Sequence, residues 1–213
     1  MSSYNIMVST DESTVVSEYI PEYSRSGSYQ SEADLEREFI KMLKTQGYEH
    51  ITIHNETDLI ANLRKQLELL NGYSFSNTEW DRFFTENIAN RNESIVEKTR
   101  KIQEDFVQLL KRDNADTKNI LLIDKISIHN NRLQVINQYE EIGGTHETRY
   151  DVTILVNGLP LVHVELKRRG IDIREAFNQI KRYQRDSFWA SSGLYEYIPV
   201  SYTHLTLPTI CSV

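Results

Sequence analysis

Apolar residues fall at helical spacing through much of the first half of the chain and at alternating spacing through much of the second. From Ser31 onward, Leu35, Phe39, Met42 and Leu43 recur near the 3.6-residue period of one helix face. Ser31 stands where an N-cap would, Glu32 and Asp34 suit the positive end of a helix dipole, and Gly47 ends the run. A second helix is predicted over Glu56–Leu70, with Leu59, Ile60, Leu63, Leu67 and Leu70 on one stripe and Gly72 past its end. The spacing predicts a third over Asn77–Asn90 and a fourth over Ser94–Arg112. In the fourth, Ile95, Ile102, Phe106, Leu109 and Leu110 face a core, while Glu97, Lys98, Arg100 and Lys101 stay solvated.

After Asn119 the alternation predicts two hairpins. The first joins ILLIDKISI to RLQVINQYE across His129-Asn130-Asn131. Beyond a Gly143-Gly144 link, the second joins YDVTILV to LVHVELK across Asn157-Gly158-Leu159-Pro160, where Asn-Gly tolerates positive φ. Arg174–Trp189 reads as a basic amphipathic helix with Ala176, Phe177, Ile180 and Tyr183 toward the sheet. Residues 1–30 read as an irregular arm with a short strand. The segment 200–213 contains no Asp, Glu, Lys or Arg. Its SYTHLTLPTICSV resembles a vector read-through peptide, so it is expected to lie outside the fold. The fold class is therefore α/β: a mixed sheet flanked by helices over residues 31–199, with a helical insertion at 56–112.

Composition narrows the function classes. The 213 residues suffice for one sizeable domain, and 39% hydrophobic with 26% charged residues is the balance of a chain that folds. No apolar run approaches membrane-spanning length, so a cytoplasmic protein is expected. Cys211 is the single cysteine, which excludes an internal disulfide and any multi-cysteine zinc site. The net charge of −7 disfavours a nucleic-acid partner on average, yet the charge is uneven. Residues 1–150 carry 17 Lys and Arg against 25 Asp and Glu, whereas residues 151–190 carry 7 against 5. The locally basic stretch also holds the candidate chemistry.

Glu165 and Lys167 in VELKRR share one face of a strand because the side-chain period is two; Leu166 faces the other way. If the hairpin pairs residues whose numbers sum to 316 or 318, Asp151 lies opposite Glu165 or Lys167, with Cβ atoms about 5 Å apart. A sum of 317 sends Asp151 to the other face unless a bulge intervenes. Carboxylates suit a hard cation such as Mg²⁺, and a nearby ammonium can offset phosphate charge. Glu-x-Lys is also compatible with a solvated edge pair, and Asp151 with a strand cap. His50, His54, His129, His146 and His163 show no metal-ligand spacing on a clear helix and are read as structural or incidental.

RYDVTILVNGLPLVHVELKRRG followed by IREAFNQIKRY resembles the amino-terminal nuclease domain of type I restriction enzyme R (motor) subunits. SYQSEADLEREFIKMLKTQGYE and LRKQLELLNG are similar to the same family, so the resemblance spans Tyr29 to Ile198. It implies a PD-(D/E)xK nuclease core with Asp151, Glu165 and Lys167 catalytic and Mg²⁺ held by Asp151 and Glu165. The proline usual before the first Asp is Tyr150 here. Gln179 and Tyr183 match the family's Gln-x-x-x-Tyr element, implied to hold the lysine and nearby DNA backbone. Arg168, Arg169, Arg174, Lys181, Arg182 and Arg185 are candidate phosphate contacts. Glu38 is a candidate accessory acid on the first helix, with Glu36 as its competitor and a solvated helix face as the plain alternative.

The resemblance further implies double-stranded DNA as substrate and methyltransferase and specificity subunits as partners. It also implies ATP use only by the full-length enzyme, and no Gly-x-x-x-x-Gly-Lys-[Ser/Thr] occurs in this chain. A non-catalytic DNA-binding or subunit-docking module on the same fold, or a helical protein with an accidental Glu-x-Lys, are the competing readings.

Overall fold

A computed structural model describes residues 4–9, 15–19, 31–141, 148–167 and 193–205, together with Asn178; for 4–9, 15–19 and 200–205 it describes the backbone. Apart from Asn178, the predicted Arg174–Trp189 helix with its arginines, Gln179, Lys181 and Tyr183, together with Arg168, Arg169, His146 and the Gly143-Gly144 link, lies outside the described residues.

The first 30 residues contain a hairpin, β1 (Tyr4–Ser9) against β2 (Val15–Tyr19), in place of the irregular arm with one short strand. Helix α1 (Glu32–Thr45) starts where its cap predicts: Asp34 N donates to Ser31 Oγ at 3.1 Å, and Asp34 Oδ2 accepts from Ser31 N. Helix α2 (Glu56–Asn71) is capped by Asn55 and stops at Gly72, whose φ of 55° is left-handed. Helix α3 (Asn77–Phe83) runs into a π turn at Phe84–Ile88, so the Asn77–Asn90 expectation holds with a local change of pitch.

The fourth predicted helix is half wrong. Helix α4 covers Ile95–Gln103, and Val107–Lys111 is strand β4, paired antiparallel with β5 (Thr117–Leu121). Along β4 the burial alternates, with Gln108 and Leu110 inside and Leu109 exposed, which is a strand's period rather than a helix's. The insertion therefore carries a hairpin besides its helices. The first predicted hairpin is overturned by the same pairing: β5 is taken by β4, and β6 (Leu133–Glu141) pairs antiparallel with β7 (Thr148–Val156). Between β5 and β6, the Asp124 carboxylate accepts from Ile126 N and Ser127 N and holds a turn where a strand was expected.

The central sheet is mixed, in the order β3 (Glu49–His50), β6, β7, β8 (Leu159–Lys167), β9 (Val200–Leu205). Both edge strands run parallel to their neighbours and the interior pairs are antiparallel. The backbone at Val200–Leu205 thus belongs to the sheet, and the fold extends past the expected limit at residue 199. Helix α1 covers one face, packing Ile40 and Leu43 on Val135, Val152, Val164 and Leu166. Residues Leu59, Leu63, Trp80, Phe83 and Leu110 build the larger core on the other face, against Ile136 and Leu155. Burying a leucine such as Leu63 contributes about 2 kcal/mol. No helix among the described residues is long and apolar enough to cross a membrane.

Candidate active site

The predicted β7–β8 hairpin forms, and its register settles where Asp151 stands. Asn157 (φ 51°) and Gly158 (φ 83°) make a two-residue turn. Next to the turn the pairs are Val156 with Leu159 and Leu155 with Pro160, which sum to 315; from Ile154 with Val162 onward they sum to 316. The change is a bulge at Leu161, one residue after Pro160, which has no N–H for the ladder. A pairing of 315 carried to the end would set Asp151 opposite Val164. The register of 316 that follows the bulge, carried one step past the last pair of Val152 with Val164, sets it opposite Glu165.

Gly158 also cannot carry a side chain. A Cβ there would lie 2.6 Å from Leu63 Cα, because α2 crosses directly over the turn. The larger core thus fixes the hairpin at the end far from the carboxylates.

At the other end the ladder opens. The last β7–β8 pair is Val152 with Val164, and the Asp151 Oδ2 takes the place of a backbone acceptor, receiving Leu166 N at 2.9 Å. On the other side of β7 the register sets Gln138 opposite Asp151, but Gln138 has φ 56° and no ladder pair there. Val135 and Val152 pack under α1, whereas Tyr139 and Tyr150 pack in the larger core, so both strands change face at these residues. Tyr150 stacks on Tyr195 at 4.4 Å and Tyr195 on Tyr139 at 4.8 Å. This buried stack holds Tyr150, the residue before Asp151.

Glu165 is fully buried, and its Oε1 accepts from Lys167 Nζ at 2.6 Å, as their shared face requires. Glu165 Oε2 is buried and accepts no hydrogen bond from the described residues; His163 Nε2 lies 3.4 Å from it. Burial, and next the charge of Glu165, push the Asp151 carboxyl up to about 7, while the Leu166 N–H and Lys167 pull it back only partly. Burial alone would lower Lys167; the hydrogen bond and charge of Glu165, with Asp151 and Glu32, outweigh it and hold the ammonium above its ordinary value. Lys167 is therefore charged at neutral pH.

The α1 carboxylate whose charge reaches Asp151 is Glu36, held by Asn137 Nδ2 at 2.6 Å and by the Gln138 amide. Glu38 lies exposed on α1. Asn137, Gln138 and His163 were not legible as site residues; the alternation that places Glu165 beside Lys167 also places His163 beside Glu165, which was the available signal. Among the described residues no group of three His, Cys, Asp or Glu side chains is arranged to hold a metal by itself.

Similarity to known proteins bears on this arrangement. Residues 29–205 match the family model described as type I restriction enzyme R protein N terminus. The type I restriction enzyme EcoprrI endonuclease subunit of Escherichia coli is 48% identical over 185 residues, 86% of this chain and 59% of its own length. The type I restriction enzyme SsaAORF53P endonuclease subunit of Staphylococcus saprophyticus is 41% identical over 175 residues, 80% of this chain and 18% of its own length. The SauMSSORF170P endonuclease subunit of Staphylococcus aureus is 40% identical over 176 residues, again 80% and 18%. The chain thus spans about three fifths of one such relative and under a fifth of the others. It belongs to the family of type I restriction enzyme R protein N-terminal regions.

Proposed function

We propose that this chain is the Mg²⁺-dependent DNA endonuclease domain of a type I restriction enzyme R subunit, built on a PD-(D/E)xK core. The observation that carries the reading is the Asp151–Glu165 pair: two carboxylates brought together at the opened end of β7–β8, with one of them raised to about 7 by burial and by the other. Such a pair, with the buried Glu165 Oε2 receiving no hydrogen bond from the described residues, suits a divalent cation. Mg²⁺ commonly takes one or two carboxylates and completes its shell with water and substrate phosphate, so two protein ligands fit. Bound there, the ion would activate a coordinated water and offset charge on the scissile phosphate.

The chain's own residues supply the rest. Asp151 and Glu165 hold the ion, and the backbone N–H of Leu166 orients Asp151. Lys167, charged and tethered to Glu165, stabilises negative charge developing on the phosphate. Glu36 takes the accessory place considered for Glu38, because its charge reaches Asp151. Gln179 and Tyr183 hold the lysine and the adjacent backbone, and Arg168, Arg169, Arg174 and Arg182 contact phosphates. Cleavage of unmodified double-stranded DNA follows ATP-driven translocation by motor domains beyond this chain, in a complex with methyltransferase and specificity subunits.

The test is Mg²⁺-dependent nicking of unmodified plasmid by the intact subunit in its assembled complex. Glu165→Ala and Lys167→Ala are each expected to lower cleavage about 10³-fold while the complex still assembles. Unchanged cleavage would remove the catalytic assignment and leave a DNA-binding or docking module.

A further inference from the structure

A groove of about 480 Å³ runs beside α1, between that helix and the start of the sheet. Its charged and polar lining includes Glu36, Arg37, Lys41, Lys44, His50 and Asn137. Arg37, Lys41 and Lys44 follow i, i+4, i+7 and so form one stripe of the helix. Arg37 is engaged by Asp34. Lys41 and Lys44 are exposed and are paired with no carboxylate among the described residues. In a chain with net charge −7, two such cations on one side of a groove are a local reversal of sign.

The groove reaches Asn137 on β6, which pairs with Val152, the neighbour of Asp151 on β7. His50 Nε2 lies 2.9 Å from Asn137 Oδ1, Asn137 Nδ2 donates to Glu36 Oε1 at 2.6 Å, and Glu36 acts electrostatically on Asp151. A hydrogen-bonded row therefore runs along the groove wall from His50 through Asn137 to Glu36, which also accepts from Gln138, the residue that the β6–β7 register sets opposite Asp151. At its carboxylate end the wall repels anions. At its lysine end it attracts them, which is how a backbone can be held beside, and delivered to, an acidic centre that a cation neutralises.

We propose that this groove carries the phosphodiester backbone of duplex DNA flanking the scissile phosphate, with Lys41 and Lys44 as its phosphate contacts and His50 as a polar neighbour. The inference rests on the nuclease reading of the Asp151–Glu165 site and adds to it a DNA track on the α1 side, remote in sequence from the basic segment after Lys167. The contacts are sequence-independent, since lysines on phosphates position a duplex without reading bases.

The experiment uses the intact subunit in its complex and measures plasmid cleavage against salt for the parent, Lys41→Gln/Lys44→Gln, Lys41→Arg/Lys44→Arg, and Lys65→Gln on the exposed side of α2. Losing two phosphate contacts is expected to lower cleavage about tenfold or more at 0.15 M-scale salt, and to flatten the salt dependence by roughly two units of log–log slope. The loss should shrink at low salt and at saturating complex, the arginine pair should cleave like the parent, and Lys65→Gln should have no effect. Glu165→Ala, run alongside, fails at every salt. Parent-like cleavage by the glutamine pair at all salt concentrations overturns the groove while Glu165→Ala stays inactive. A glutamine pair that no longer assembles with the methyltransferase subunit assigns the groove to a protein partner and also overturns the proposal. If Glu165→Ala cleaves normally, the underlying nuclease reading fails first.

Discussion

Two acids in this molecule, the buried Glu79 and the half-buried Asp151, have opposite surroundings. Glu79, in the helical layer, accepts from Ser76 N at 3.0 Å, Tyr73 Oη at 2.8 Å and Asp113 N at 3.1 Å. Burial is the largest single influence on it and pushes its carboxyl upward, yet those donors with Arg112 hold it below the ordinary value. Asp151 has one backbone donor and a second carboxylate beside it, and rises to about 7. The first acid is satisfied by its own fold and needs nothing more. The second is left short of positive charge at a place where the sheet opens, and that deficit is what a functional site offers to a ligand.

The sharpest way to break the contrast is to alter the register on which only the site depends. Deleting Thr153 from β7 leaves Ile154 opposite Val162 but moves every earlier β7 residue by one, which sets Asp151 opposite Val164 and turns it away from Glu165; cleavage should fall by more than about 10³-fold. A smaller effect is expected from pH. Because the folded Asp151 value lies above the unfolded 3.8, its stabilising contribution is complete below about pH 4 and is lost as pH rises through about 7. Metal-free protein should therefore lose up to about 4 kcal/mol between those limits relative to Asp151→Asn, measured by denaturant unfolding. Gly158→Ala should cost about 2–3 kcal/mol, since φ 83° and the Leu63 backbone both oppose a Cβ. Glu79→Gln should cost about 1–2 kcal/mol by weakening a satisfied network, with cleavage unchanged in the folded fraction.

Local signals in the sequence were enough for α1, α2 and the β7–β8 turn, because caps, periodicity and Asn157-Gly158 agree there. They failed from Gln103 to Leu121. Phe106, Leu109 and Leu110 continue the spacing of Ile95 and Ile102, and no glycine or proline marks the end of α4, so only pairing with β5 reveals the strand. Lys98 and Lys101 were misread as solvated. Both are buried, Lys98 against Glu196 and Lys101 against Glu93 at 2.5 Å, and a partner 98 residues away leaves no local trace. The candidate site was legible as residue types, while its geometry hinged on one bulged residue that alternation alone could not supply. Glu36 was separable from Glu38 only by its contact with Asn137 and Gln138.

The central claim is that Asp151 and Glu165 together take a divalent ion, and calorimetric titration of the nucleotide-free intact subunit with Mg²⁺ at pH 6 and pH 8 tests it most directly. Binding should strengthen toward pH 8, with release of a proton near pH 7, and Asp151→Asn, which keeps an oxygen acceptor for Leu166 N, should abolish that component. Equal Mg²⁺ binding by the parent and by Asp151→Asn at both pH values would contradict it.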